Sequence, residues 1–169
     1  FRSTHKLHQH RQIARCEKEY IPINACKAIF EDMFPYSMDG KTMLDIMIRK
    51  GKEMLFIESI LPNATEHSLI GYTPAQLAWC KDNEAMIWHA FAQQKLIYAT
   101  NWQDIMPYLQ DGPTSIGMPQ ESPGNIGTFI GWQIIHAYLK KHPSATLQEI
   151  LNNQNEAQQF LQASSYRPK

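Results

Sequence analysis

The sequence is short of cysteine, of net charge, of long apolar runs and of strand-type alternation, and each shortage removes a class of protein. Its three cysteines, Cys16, Cys26 and Cys80, are odd in number and fit no C-x-x-C spacing. Neither a disulfide framework nor a zinc ribbon is expected, and small buried hydrophobes are the default. Sixteen basic residues balance sixteen acidic ones for a formal net charge of zero, which leaves no electrostatic footprint for nucleic acid or for an anionic membrane surface. No run approaches the roughly 18 apolar residues of a membrane span, and no charged stretch followed by an apolar core opens the chain as a signal peptide would. The H-E-x-x-H of zinc peptidases, the G-x-S-x-G of serine hydrolases and the G-x-x-x-x-G-K of phosphate loops are all missing. Gly112 and Gly117 have the spacing of two phosphate-loop glycines, but Met118 stands where the lysine should be.

What is present is an ordinary globular composition, 43% apolar and 19% charged over 169 residues, enough for one domain with a sizeable core. Helical patterns separated by short breaker clusters point to an all-α fold. A polar first segment, about His5 to Glu19, precedes Pro22, which can start a helix over about Ile23 to Met33. Thr42 with Asp45 forms a capping pair ahead of the longest apolar helix, about Met43 to Leu61. One stripe of that helix holds Met43, Met47, Met54, Ile57 and Leu61, and the next holds Leu44, Ile48, Gly51 and Leu55. Its wide apolar face makes it the expected central helix, needing cover on more than one side.

Beyond it the pattern gives a polar loop to Gly71-Tyr72, then the strongest cap of the chain, Thr73-Pro74-Ala75-Gln76. A short helix to about Lys81 and another over about Asn83 to Lys95 follow, the second burying Ile87, Ala90 and Phe91. Asn101 can cap a turn or two before Pro107, and an irregular loop runs from Asp111 to Gly124. Thr146 and Glu149 cap a short helix, and Asn155 starts the last one.

Ser122 to Tyr138 combines a Pro123-Gly124 turn, Asn125 as a helix cap, and apolar positions Ile126, Phe129, Ile130, Ile134 and Tyr138 at helical spacing. Gly127 and Gly131 lie one turn apart in this helix. Each costs roughly 1 kcal/mol against alanine, so another backbone is expected to come close there, with Gly131 against the Met43 to Leu61 helix.

Chemistry-bearing residues are sparse. His5, His8 and His10 form the only histidine cluster, without an acid to complete a metal set, and any metal there would be incidental. Cys26 sits on a helix face with Ile23, Ile29 and Phe30, which suits an inert buried thiol better than the nucleophile of a Cys-His pair with His89 or His136. Trp79, Trp88, Trp102 and Trp132 are read as packing and interface anchors.

Lys41 to Lys52, Ile70-Gly71-Tyr72-Thr73, Trp79-Cys80-Lys81-Asp82-Asn83-Glu84 with Ile87-Trp88, and Ser122 to Gly127 through Gly131-Trp132-Gln133-Ile134-Ile135 closely resemble, in the same order, the gliding-motility lipoprotein GldB family. Glu19-Tyr20-Ile21-Pro22 and the tail Ser165 to Lys169 are similar too, so the resemblance runs from about Lys18 to the C-terminus. It marks Gly51, Gly71, Tyr72, Trp79, Trp88, Gly124, Gly127, Gly131 and Trp132 as the packing positions of the motif, with no catalytic, cofactor or metal residue among them.

The resemblance implies an exported protein on the periplasmic face of the outer membrane, held by an N-terminal lipidated cysteine that this chain does not contain. It also implies the C-terminal portion of a longer lipoprotein, whose partners would be an envelope protein or its own N-terminal half. GldB-like proteins look distantly similar to gluzincin-type zinc peptidases. On that alignment the helix Ile23 to Phe30 carries no metal ligand, and Lys50, before Gly51, replaces the third. The expectation is therefore a single metal-free helical domain with no cofactor and a non-catalytic role in assembly or interaction. The alternative is a hydrolase whose catalytic residues lie upstream.

Overall fold

A computed structural model describes residues 20–153 and 157–169, and within them every regular element is a helix. The expectations placed on His5 to Glu19, Cys16 and Asn155 lie outside the described residues. In chain order the helices are α1 (Ile21–Met33), α2 (Met43–Ile60), α3 (Glu66–Ile70), α4 (Pro74–Asp82), α5 (Glu84–Gln93), α6 (Trp102–Leu109), α7 (Ile126–Lys141), α8 (Leu147–Asn152) and α9 (Ala157–Ser164).

Local chemistry sets several of the starts. Thr42, Thr73 and Thr146 each accept from the amide three residues on, and Asp45, Gln76 and Glu149 each reach back to the cap amide. These reciprocal bonds satisfy two of the amides that a helix start leaves without partners. The next two amides of α2 are met from elsewhere in the chain: Met43 and Leu44 donate to the carbonyls of Ala99 and Ile97, both at 2.9 Å.

Four local expectations are corrected. α1 starts at Ile21, so that Pro22 falls in the first turn, where its missing N–H costs nothing. The stretch before Gly71 is the short helix α3 rather than a loop; Leu69 and Ile70 are buried, and Gly71 closes it in the left-handed region at φ 78°. α6 runs through Pro107 to Leu109, because Tyr108 and Leu109 pack into the core and outweigh the lost hydrogen bond. Asn125 stands at the α7 cap position but is itself left-handed, at φ 60°, and its carboxamide bonds the Thr128 hydroxyl and Asp111 instead of a backbone amide.

α2 is the centre of the fold. It packs on α1, α3, α7, α8 and α9, with α7 its most extensive neighbour. The apolar stripes around Met47 and Gly51 are closed over by these helices, Met47 being 0% exposed. The cover that this face needs is supplied within the chain. On the α1 side, Phe30 packs against Phe34 and Phe56, and the Arg49 guanidinium stacks 3.9 Å above its ring.

Contacts between α2 and α7 advance in the same direction along both. Met47 meets Gly127 and Gly131, Gly51 meets Gly131 and Ile135, and Glu58 meets Trp132 and His136. The two helices therefore run parallel, which requires the long crossover through α3 to α6. A Cβ on Gly131 would fall far inside contact distance of the Met47 carbonyl, and one on Gly51 inside that of the Gly131 carbonyl. The close approach expected at Gly131 is present, backbone to backbone, with Gly51 as its counterpart on α2; at Gly127 the Leu109 side chain comes nearest, followed by the Tyr108 carbonyl.

Candidate functional site

The tight crossing at Gly51 and Gly131 determines what meets beyond it. Trp132 and His136 lie one turn apart on α7, with ring centroids 5.2 Å apart, and both face the C-terminal half of α2. There the Glu58 carboxylate accepts from Trp132 Nε1 at 3.2 Å and pairs with His136 Nε2 at 3.1 Å. The hydrogen bond from His136, aided by that from Trp132, holds the Glu58 carboxyl below its ordinary value against the opposing effect of burial. An ionised carboxylate can only accept, so Nε2 of His136 carries the hydrogen. The lone pair of the neutral ring is then on Nδ1.

His136 also lines an open groove of about 570 Å³. Its floor is the outward face of α7, with Gln133, His136 and Lys140 at helical spacing; its far wall is the C-terminal segment after α9, and Glu84 at the start of α5 closes one side. Tyr166 fixes that wall. Its hydroxyl donates to Glu84 Oε1 at 2.8 Å, and its ring meets Trp88 edge to face at 5.2 Å. Burial, with the Glu84 charge beside it, pushes the Tyr166 phenol above its ordinary value, so it remains a donor. Ser164 is turned away from His136: its hydroxyl donates to the Leu161 carbonyl and accepts from the Tyr166 amide, at 2.7 and 3.2 Å.

A second groove, of about 680 Å³, lies between Tyr20-Pro22-Ile23 and Ile60-Leu61-Pro62 and is mostly apolar. Cys26 and Cys80 are buried, and burial pushes the Cys80 thiol up to about 12, where no thiolate forms at neutral pH. Among the described residues no three of His, Cys, Asp or Glu gather closely enough to hold a metal ion, and no helix is long and apolar enough to cross a membrane.

The packing positions marked by sequence fall into three places. Gly51, Gly127, Gly131 and Trp132 form the α2–α7 contact, with Leu109 closing against Gly127. Gly71, Tyr72 and Gly124 form a second: the buried Tyr72 hydroxyl donates to the Gly124 carbonyl at 2.9 Å, and Gly124 lies on the backbone of Gly112 too closely for a side chain. Trp88 packs edge to face on Tyr166 behind the groove wall, while Trp79 is half-buried against the core.

The structure adds what the residue patterns did not single out, namely the Glu58–His136 pair and the Glu84–Tyr166 bond. A family model described as gliding motility protein GldB matches residues 4–168. The chain belongs to the GldB family. The match begins before Lys18, so this GldB chain is a family member over nearly its whole length. No curated protein matches it, and no solved structure does. The glycines and tryptophans that carry the family resemblance in this GldB chain lie at packing contacts, and Trp132 joins them to the Glu58–His136 pair.

Proposed function

We propose that this GldB chain is a non-catalytic protein of the cell envelope, acting by interaction in the assembly of gliding-motility or secretion-type machinery. The observation that carries this is the engagement of Glu58. The Glu58–His136 pair beside the groove has its carboxylate bonded to both Trp132 and His136, tying α2 to α7, while the neighbouring Ser164 hydroxyl is bonded to backbone. A catalytic His–Glu pair activates a nucleophile through the other ring nitrogen, and the Ser164 hydroxyl is committed to the Leu161 carbonyl. Here the pair serves to join two helices.

In this reading the likeness to gluzincin peptidases is one of scaffold, with Lys50 on α2 where a third zinc ligand would stand. A lipidated N-terminus on a longer polypeptide would place the domain at the periplasmic face of the outer membrane. The partner would be an envelope protein or the upstream half of the same chain.

The test is turnover by the purified chain of casein, a p-nitrophenyl ester and a p-nitrophenyl phosphate, with and without added zinc. No rate above buffer is expected. A chelator-sensitive rate, or one lost in Glu58→Gln, would overturn the proposal.

A further inference from the structure

The groove beside α7 has a charge that the chain as a whole does not. The protein is formally neutral, yet among the described residues the groove is lined by Lys140, Lys141 and Arg167 against one lining carboxylate, Glu84, whose Oε1 already accepts from Tyr166, while the Glu58 carboxylate beside the groove is engaged by Trp132 and His136. Neither α7 nor the segment 164–169 contains an acidic residue. Lys140 and Lys141 alone would be explained as complements to the negative C-terminal end of α7. Arg167 belongs to no helix, and it faces the same groove from the opposite wall.

The form of the groove narrows the ligand. Its floor runs from Gln133 to Lys141, roughly 12 Å of helix. All three cations are solvent-exposed, and the groove they line is open rather than a closed cup. A single phosphate is held by convergent, partly enclosed donors. Carboxylates spread along a polypeptide need spaced cations on a rim, with hydrogen-bonding and apolar surface between them, and Gln133, Ser165, Ala137 and Pro168 supply that surface.

We infer that this groove docks an acidic polypeptide segment of the partner, read by Lys140, Lys141 and Arg167. The inference rests on the interaction role proposed above and gives that partner its chemistry.

The experiment is fluorescence anisotropy of fluorescein-labelled hexaglutamate peptide titrated with the full chain, with hexaglutamine as the uncharged control. Saturable binding of the glutamate peptide alone is expected, weakening at high salt. The combined variant Lys140→Gln, Lys141→Gln, Arg167→Gln should bind about tenfold more weakly, the sum of three exposed charge pairs. Lys95→Gln, outside the groove, should leave binding unchanged. Arg167→Gln alone, at an exposed residue outside every helix, should give part of the loss with an unaltered melting temperature, so a folding defect in the combined variant cannot imitate the result. No saturation, equal affinity in the groove variants, or displacement by inorganic pyrophosphate at lower concentration than by unlabelled peptide would overturn the inference. If the peptide fails to bind while the chain remains inert in the turnover assays, the non-catalytic reading stands without it.

Discussion

Gly131→Leu is expected to lower stability by more than about 2 kcal/mol, through overpacking against backbone that cannot rotate away. Helix propensity alone gives the opposite sign, since replacing a mid-helix glycine with leucine should gain a few tenths to about 1 kcal/mol at an exposed site. The geometry decides between them: the first atom of any side chain at Gly131 meets the Met47 carbonyl, and one on Gly51 would meet the Gly131 carbonyl in turn. Even Gly131→Ala should destabilise. Urea denaturation of the two variants and the wild type provides the comparison. A midpoint equal to or above that of the wild type would show that the two backbones do not touch in solution. Leucine should also displace Trp132 and His136 relative to Glu58, so indole fluorescence would shift in parallel with the loss of stability.

Lys52 gives the second large effect, and it depends on pH. This lysine lies on α2 at 9% exposure, donates to the Asn153 carbonyl at 2.5 Å and sits 5.6 Å over the Phe160 ring. Burial, reinforced by the nearby Arg49 charge, pushes it down to about 8 from its ordinary 10.5. Below about 8 both the folded and unfolded chains hold the proton, and the folded state bears the full cost of a buried charge. Between about 8 and 10.5 the unfolded chain still holds a proton that the folded chain has released, so stability gains from Lys52 as pH rises through that interval. The gain is at most about 3 kcal/mol for a shift of this size. Other groups, including Cys80 and Tyr166, titrate in the same region with the opposite sign, because burial raises them. The informative quantity is therefore the difference between wild type and Lys52→Met. The wild-type urea midpoint is expected to climb relative to that variant across the interval, and parallel curves would refute the buried-charge account.

What could be read from sequence follows from the distance over which each interaction acts. The caps at Thr42, Thr73 and Thr146 are closed by residues three positions on, so their pattern is written locally, and all three are formed. The wide apolar face of α2 and the two glycines of α7 were legible because burial and close approach leave periodic traces. Glu58 and His136 are 78 residues apart and Lys52 and Asn153 are 101 apart, so no local pattern announces either pair. The register that joins Glu58 to His136 follows only once Gly51 and Gly131 are known to touch. α3 escaped notice because five residues are too few to show a helical period. Pro107 was read as a stop because propensity is local, whereas the burial of Tyr108 and Leu109 that carries α6 past it is tertiary. The basic groove was hidden by the even balance of total charge, which says nothing about where the charges gather.

The proposed role of this GldB chain is binding, with the Glu58–His136 pair beside the groove serving structure. The most direct measurement replaces the chromosomal codon of Glu58 with that of glutamine and scores whatever defect deletion of the gene produces. Glutamine keeps an acceptor for Trp132 and His136 but cannot support the charge of a catalytic His–Glu pair. With the variant present at wild-type level, the account predicts the wild-type phenotype. The deletion phenotype from a stable, normally abundant Glu58→Gln protein would contradict it.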